Sequence, residues 1–152
     1  LKHVIVTIAG SADLGPLRRL LSREGLPAND LGAAPSVFFV IREEEKLIAA
    51  IGLETQGSDG LLRSMVVEPH YRNRGLASDL LTHLLTHARA AGLNRIFLLT
   101  ETAEAWFSKK GFVTIARSDA PEGIRGSTEF SQACPSSASL MKFELSHKAA
   151  IA

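Results

Sequence analysis

The tightest constraint on this chain is the stretch Val67-Glu68-Pro69-His70-Tyr71-Arg72-Asn73-Arg74-Gly75-Leu76-Ala77-Ser78. It leaves an apolar run over residues 61–67, turns at a proline and enters a long amphipathic segment through Arg-x-x-Gly-x-Ala. That order reads as strand, small-residue loop and helix start, with two arginines at the bend. The N–H groups at a helix start, together with the helix dipole, favour an anion. Gly75 lets a ligand approach the backbone, and Ala77 keeps the first helical turn uncrowded. A diphosphate suits such a loop. No Gly-Lys-Ser/Thr follows, so it is not a nucleotide P-loop. Gly-x-Gly-x-x-Gly is absent, so it is not a dinucleotide fingerprint.

The remainder of the chain bounds what this loop serves. A length of 152 residues predicts one domain, 1–152, around one core. With 45% apolar residues the composition is globular rather than disordered. A formal charge of +1 gives no broad field for nucleic acid, and none is expected as a partner. No apolar run approaches a bilayer-crossing length, so no membrane segment is expected. The first eight residues read as a short strand without a cleavage pattern, so no signal peptide is expected. The single cysteine, Cys134, excludes an internal disulfide framework and points to the cytoplasm.

Periodicity divides the chain further. A first strand is predicted over 4–9, then a helix over 14–24 capped by Ser11 or Asp13 and stopped by Gly25-Leu26-Pro27. Residues 29–34 read as a loop or short helix. Runs over 36–42 and 46–54, parted by three glutamates, read as a hairpin, and a turn cluster over 56–60 leads to 61–67. Three strands joined in succession favour a mixed sheet. The best helix spans 75–91, with leucines at helical spacing and Gly92 as terminator. A strand over 95–99, a helix over 103–110 and a strand over 112–117 follow. Residues 119–135 form a long turn-rich stretch, residues 139–145 a last strand, and residues from 146 a frayed tail.

The loop resembles the coenzyme A site of the GNAT superfamily of N-acetyltransferases. Arg72, Gly75 and Ala77 fill its Gln/Arg-x-x-Gly-x-Gly/Ala signature, and Val67 and Pro69 fill the preceding Val-x-Pro. The segment Trp106-Phe107-Ser108-Lys109-Lys110-Gly111-Phe112 resembles the family's downstream Gly-Phe segment. The resemblance implies an α/β (α+β) fold: a mixed, mostly antiparallel sheet of six to seven strands flanked by about four helices. It implies acetyl-CoA as cosubstrate and a small-molecule amine as acceptor. The coenzyme-binding set it implies is Met65, Val66, Val67, Arg72, Asn73, Arg74, Gly75, Leu76, Ala77, Ser78 and Phe107. In it, backbone groups of Met65 and Val67 meet the pantetheine arm and the thioester oxygen, and the loop holds the diphosphate. A homodimer is a further expectation by resemblance.

Thioester aminolysis needs the donor held, the amine placed, its proton removed and the oxyanion stabilised. Strand alternation puts Arg63, Met65 and Val67 on one face. An arginine on a central strand needs an anion. A substrate carboxylate would serve, and so would an internal bridge to Glu54, Glu101 or Glu104. The tyrosine that usually acts as the family's acid is Phe107 here, and Tyr71 is the only tyrosine. Water, Thr100 or Thr102 would then protonate the leaving thiolate. Glu54 is the first candidate base, with a solvated hairpin carboxylate as the competing reading. His83 and His87 fall at i, i+4, where a solvent-facing pair competes with a metal site; no third ligand is apparent and no metal is expected. Cys134 reads either as a packed thiol or as a residue facing the acceptor.

A narrower resemblance bears on the acceptor. Residues 98–107 and 120–125 resemble the catalytic domain of N-acetylglutamate synthase. The ending over 121–138 resembles small acetyltransferases of bacterial arsenic-resistance operons. The implied acceptor is the α-amine of glutamate, or of a glutamate-like toxic phosphinate or arsinate. Candidate acceptor-binding residues are Arg63, Ser64, Thr100, Arg125, Ser127 and Ser136, with Glu54, Thr100 and Thr102 as candidate catalytic residues. Two other functions compete: a protein N-terminal or lysine acetyltransferase, and an acyl-CoA-binding module without turnover.

Overall fold

The computed structural model describes residues 4–28, 31, 36–127, 130 and 137–145. Among the described residues, seven strands form a mixed sheet in the order β1-β2-β3-β4-β5-β7-β6. They are β1 Val6–Ile8, β2 Ser36–Glu43, β3 Lys46–Gln56, β4 Asp59–Val67, β5 Arg95–Thr100, β6 Val113–Ile115 and β7 Ser139–Glu144. The described residues also hold four α-helices: α1 Leu14–Arg23, α2 Leu76–Ala90, α3 Glu104–Lys109 and α4 Glu122–Arg125. The chain forms two compact units, Leu1–Glu54 with Ser64–His87, and Thr55–Arg63 with Ala88–Ala152.

In the first unit, β1 pairs antiparallel with β2, and β2 with β3. The β2–β3 hairpin closes through Glu44, whose φ of 57° supplies the left-handed turn residue. Alternation along β2 gives the sheet two apolar faces. Phe38 and Val40 pack with Ala50 and Val66 against Leu17, Leu20 and Leu21 of α1. Phe39, one residue out of phase, meets His87 of α2 edge-on at 5.3 Å. Buried Leu80 and Leu84 complete the apolar stripe of α2.

The expected cap of α1 takes another form. Asp13 closes a 3-10 turn, Ser11–Asp13, accepting the Gly10 N–H at 2.8 Å and pairing with Arg42 at 2.6 Å. Both contacts hold its carboxyl below the usual range, the Arg42 hydrogen bond most. The solvent-facing histidine pair is also corrected. His83 is exposed and bonds the Asp79 carbonyl, whereas half-buried His87 covers Phe39.

In the second unit, β4 and β5 run parallel from Asp59↔Arg95 to Leu61↔Phe97. Arg95 grips Asp59 with two hydrogen bonds of 3.1 Å, a fork matched to a carboxylate. β7 pairs antiparallel with both β5 and β6. Leu61, Phe97, Ala120, Ile124 and Leu140 form the core. A run of aromatic contacts, Trp106–Phe107–Phe112–Phe143, packs α3 beside β6 and β7. The strand expected over 112–117 ends at Ile115, and Arg117–Asp119 is a 3-10 turn. The stretch expected to be irregular from 119 contains the one-turn helix α4. Ser136, Cys134 and the expected tail lie outside the described residues, as does most of the 29–34 segment.

Candidate functional site

The loop after β4 is braced from three sides within the first unit. Glu68 begins the bracing. Its N–H donates to the Ile48 carbonyl at 2.8 Å, and its carboxylate accepts the His70 N–H at 2.7 Å and Lys46 Nζ at 3.1 Å. These donors, the His70 N–H first, hold its carboxyl down at about 2. Pro69 starts a 3-10 turn, Pro69–Tyr71, that needs no N–H at that position. Next, Arg72 Nε donates to the Val67 carbonyl at 3.0 Å, and its terminal nitrogen donates to Glu24 at 2.8 Å. Arg74 donates to the His70 carbonyl at 3.3 Å and lies over the Tyr71 ring, 5.0 Å from its centroid.

Between these braces the backbone turns through two left-handed residues, Asn73 at φ 65° and Gly75 at φ 80°. Alternating backbone handedness makes successive N–H groups converge, the arrangement that binds anions. α2 begins immediately afterwards, with Asp79 N–H to Gly75 O as an early helical bond. A Cβ built at Gly75 would meet nothing within 4 Å, so the backbone there is open to approach. Residues 72–75 are all exposed, while Leu76 is buried and anchors the helix start. A cavity of ≈ 380 Å³ adjoins the loop, lined in part by Tyr71, Arg74, Leu76 and Ile48. A hydrogen bond to Glu43 leads the causes that push the Tyr71 phenol up.

Ser64, Met65, Val66 and Val67 belong to the same unit, as does Glu54. Ser64 has a φ of 60°, inside a strand and without being glycine. Such a residue breaks the pleat, so the alternation expected to place Arg63 and Met65 on one face cannot be carried across it. Glu54 sits opposite Ser36 and is only 3% exposed, which removes the solvated reading of its carboxylate.

The second unit holds Arg63, Thr100, Thr102, Phe107, Arg125 and Ser127. Arg63 is 3% exposed. Thr100 Oγ1 accepts the Ala103 N–H at 3.0 Å ahead of α3, a local side-chain-to-backbone bond of the kind threonine favours in turns. Phe107 is a core ring, edge-on to Trp106 at 5.0 Å and Phe112 at 5.3 Å. Ser127 is buried; its hydroxyl donates to the Ile124 carbonyl and accepts the Phe130 N–H, closing the turn after α4. Arg125 and Thr102 are exposed. Glu101 accepts from Ser137, and Glu104 from Ser139 and Thr114, so both carboxylates brace the surface around β7. Among the described residues no three His, Cys, Asp or Glu side chains converge as a metal site. None of their helices is long and apolar enough to cross a membrane.

Sequence reasoning missed the supports of the loop. Glu68 leaves a local signal, a carboxylate two residues before the N–H it accepts. Glu24 leaves none, because it stands 48 residues from Arg72.

Comparison with known proteins places this architecture. The profile of the Acetyltransferase (GNAT) family matches residues 12–112, more than half of the chain. An amino-acid acetyltransferase of Pseudomonas fluorescens (strain Pf0-1) is 39% identical over 77 residues, covering 49% of this chain and 18% of that protein. The chain thus spans about a fifth of the length of the curated relatives it matches. A GNAT-family acetyltransferase structure from Staphylococcus aureus Mu50 superposes with a TM-score of 0.78 at 15% identity, covering 95% of this chain and all of that one. N-acetylglutamate synthase from Neisseria gonorrhoeae, solved with coenzyme A and N-acetyl-glutamate, superposes at 0.77 with 22% identity, over 96% of this chain and 36% of that one. With the signature loop, the seven-stranded mixed sheet and the family profile in agreement, the chain belongs to the GNAT acetyltransferase family.

Proposed function

We propose that this chain is a catalytic domain that transfers acetyl from acetyl-CoA directly to the α-amine of a small amino acid. Glutamate, or a glutamate-like toxic phosphinate or arsinate, is the acceptor class. The observation that carries the reading is the loop over 72–75, where left-handed Asn73 and Gly75 precede a helix start with open space above Gly75. Converging N–H groups, a dipole and the Arg74 cation fit a diphosphate in charge and in shape. The amino-acid acceptor draws support from relatives named amino-acid acetyltransferase, 34–39% identical over about half of this chain. The ending over 121–138 supports the toxic-analogue class by resemblance. The single Cys134 fits work in the reducing cytoplasm.

Acetyl-CoA supplies an activated thioester carbonyl and a thiol leaving group. The chain would supply the rest. The loop holds the diphosphate, and backbone N–H groups near Met65 and Val67 receive the oxyanion. Glu54, buried on β3, takes the proton of an α-ammonium that is mostly protonated at neutral pH, directly or through water. Arg63 meets the acceptor carboxylate as a bidentate fork. The Thr100 hydroxyl accepts from Ala103 and keeps its own O–H for donation to the leaving sulfur.

Calorimetry of the pure chain with CoA and acetyl-CoA tests the first half of the reading, and absence of uptake defeats it. Thiol release with a panel of amino acids, the two analogue classes and a lysine peptide tests the second. Turnover confined to the peptide replaces the amino-acid acceptor with a protein substrate.

A further inference from the structure

Arg72 is the signature residue that the family resemblance assigns to the coenzyme, yet its guanidinium is committed elsewhere. Nε donates to the Val67 carbonyl at the end of β4, and a terminal nitrogen donates to Glu24 Oε1 at 2.8 Å. Glu24 is itself fixed, since its N–H bonds the Leu20 and Leu21 carbonyls in the last turn of α1. Arg72 therefore joins three parts of the first unit: the strand end, the loop and the end of α1. Its charge is matched by a carboxylate, which lowers what it can offer an incoming polyanion. Arg74 differs: it bonds a neutral carbonyl and lies over an aromatic ring.

Resting on the functional reading above, we propose that Arg72 is a positioning residue rather than a phosphate ligand. The Glu24–Arg72 pair is a strut that holds the backbone ahead of left-handed Asn73 and Gly75 in its anion-receiving shape. The phosphate charge is met by Arg74 and by main-chain N–H groups. Both partners are partly exposed, at 51% and 20%, and pairs of that kind contribute little to global stability. The effect of the strut is thus read in coenzyme affinity more than in the melting temperature.

A double-mutant cycle separates the two roles. CoA affinity is measured by calorimetry on the full chain and on Glu24→Gln, Arg72→Gln and the double variant. A strut predicts that each single change weakens CoA by about 3- to 10-fold and that the double change weakens it no further. With acetyl-pantetheine, which lacks the diphosphate, the losses in the single variants are expected to be smaller than with acetyl-CoA. Arg72 as a phosphate ligand predicts otherwise: Glu24→Gln leaves CoA affinity unchanged or tightens it, Arg72→Gln weakens it, and the two effects add. That pattern overturns the strut, as do two silent single variants or equal losses with the truncated donor. A wild-type chain that takes up no CoA overturns the functional reading and the strut with it, whereas additivity in a chain that binds CoA overturns the strut alone.

Discussion

At the scale of single residues, the loop depends on backbone conformations that most side chains resist. Gly75 stands at φ 80°, and nothing lies within 4 Å of where its Cβ would be. Gly75→Ala therefore meets no steric neighbour and acts through backbone strain alone. The left-handed conformation costs an L-residue about 1–2 kcal/mol. The chain can keep the conformation and lose that stability, or relax and spoil the N–H array. Relaxation forfeits at least one charge-assisted hydrogen bond, so CoA affinity is expected to fall about tenfold or more. Calorimetry and thermal melts on the same variant read both quantities. Glu68 gives a pH signature. Its carboxyl is held at about 2 against an ordinary 4.5, so the stabilisation it provides is complete above 4.5 and is lost as pH falls towards 2. Glu68→Gln has no such charge to lose. The gap in melting midpoint between wild type and variant is expected to be widest above pH 4.5 and to close towards pH 2. A constant gap across that range would show that the carboxylate charge is not what braces the loop.

At the scale of elements, packing of β2 on β3 gives the sharpest test. Gly52 pairs with Phe38, and a Cβ added at Gly52 would sit 2.5 Å from the Phe38 ring. Phe38 is buried in the α1 cluster, so its ring can yield only by disturbing Leu17, Leu20 and Leu21. Gly52→Ala is expected to cost about 1–3 kcal/mol by overpacking, measured by denaturant unfolding. A neutral outcome would mean that the α1 interface has slack. The elements most legible in the sequence are those with strong periodicity or strong punctuation. α2 was readable from its leucine spacing, α1 from Gly25 and the β2–β3 hairpin from its glutamates. Less legible were features that depend on distant partners. Ser64 looks like any strand residue, and its left-handed turn follows from neighbours rather than from its own preference. α4 is four residues long, too short for a helical period to register. In the candidate site, the loop itself was legible because glycine and proline mark it locally. Its brace at Glu24 and the local bond of Thr100 to Ala103 were not, since one needs a contact across 48 positions and the other competes with a substrate role that the same hydroxyl could fill.

At the scale of the whole molecule, binding at the loop should be felt by everything that unfolds with it. A ligand that binds only the folded chain stabilises it by RT ln(1 + [L]/Kd), about 2.7 kcal/mol at one hundred times Kd. For a chain of 152 residues, each kcal/mol moves the melting midpoint by roughly 2–4 °C. Saturating CoA is therefore expected to raise the midpoint by about 5–11 °C. Pantetheine, lacking the diphosphate, is expected to give a much smaller shift at the same concentration. If the chain folds as one domain, a single transition moves as a whole. The comparison of ligands carries the argument, because both share the arm expected along β4 and only one carries the phosphates expected at the loop. Equal shifts would remove the diphosphate from the energetics and leave the exposed, braced turn over 72–75 without its assigned guest.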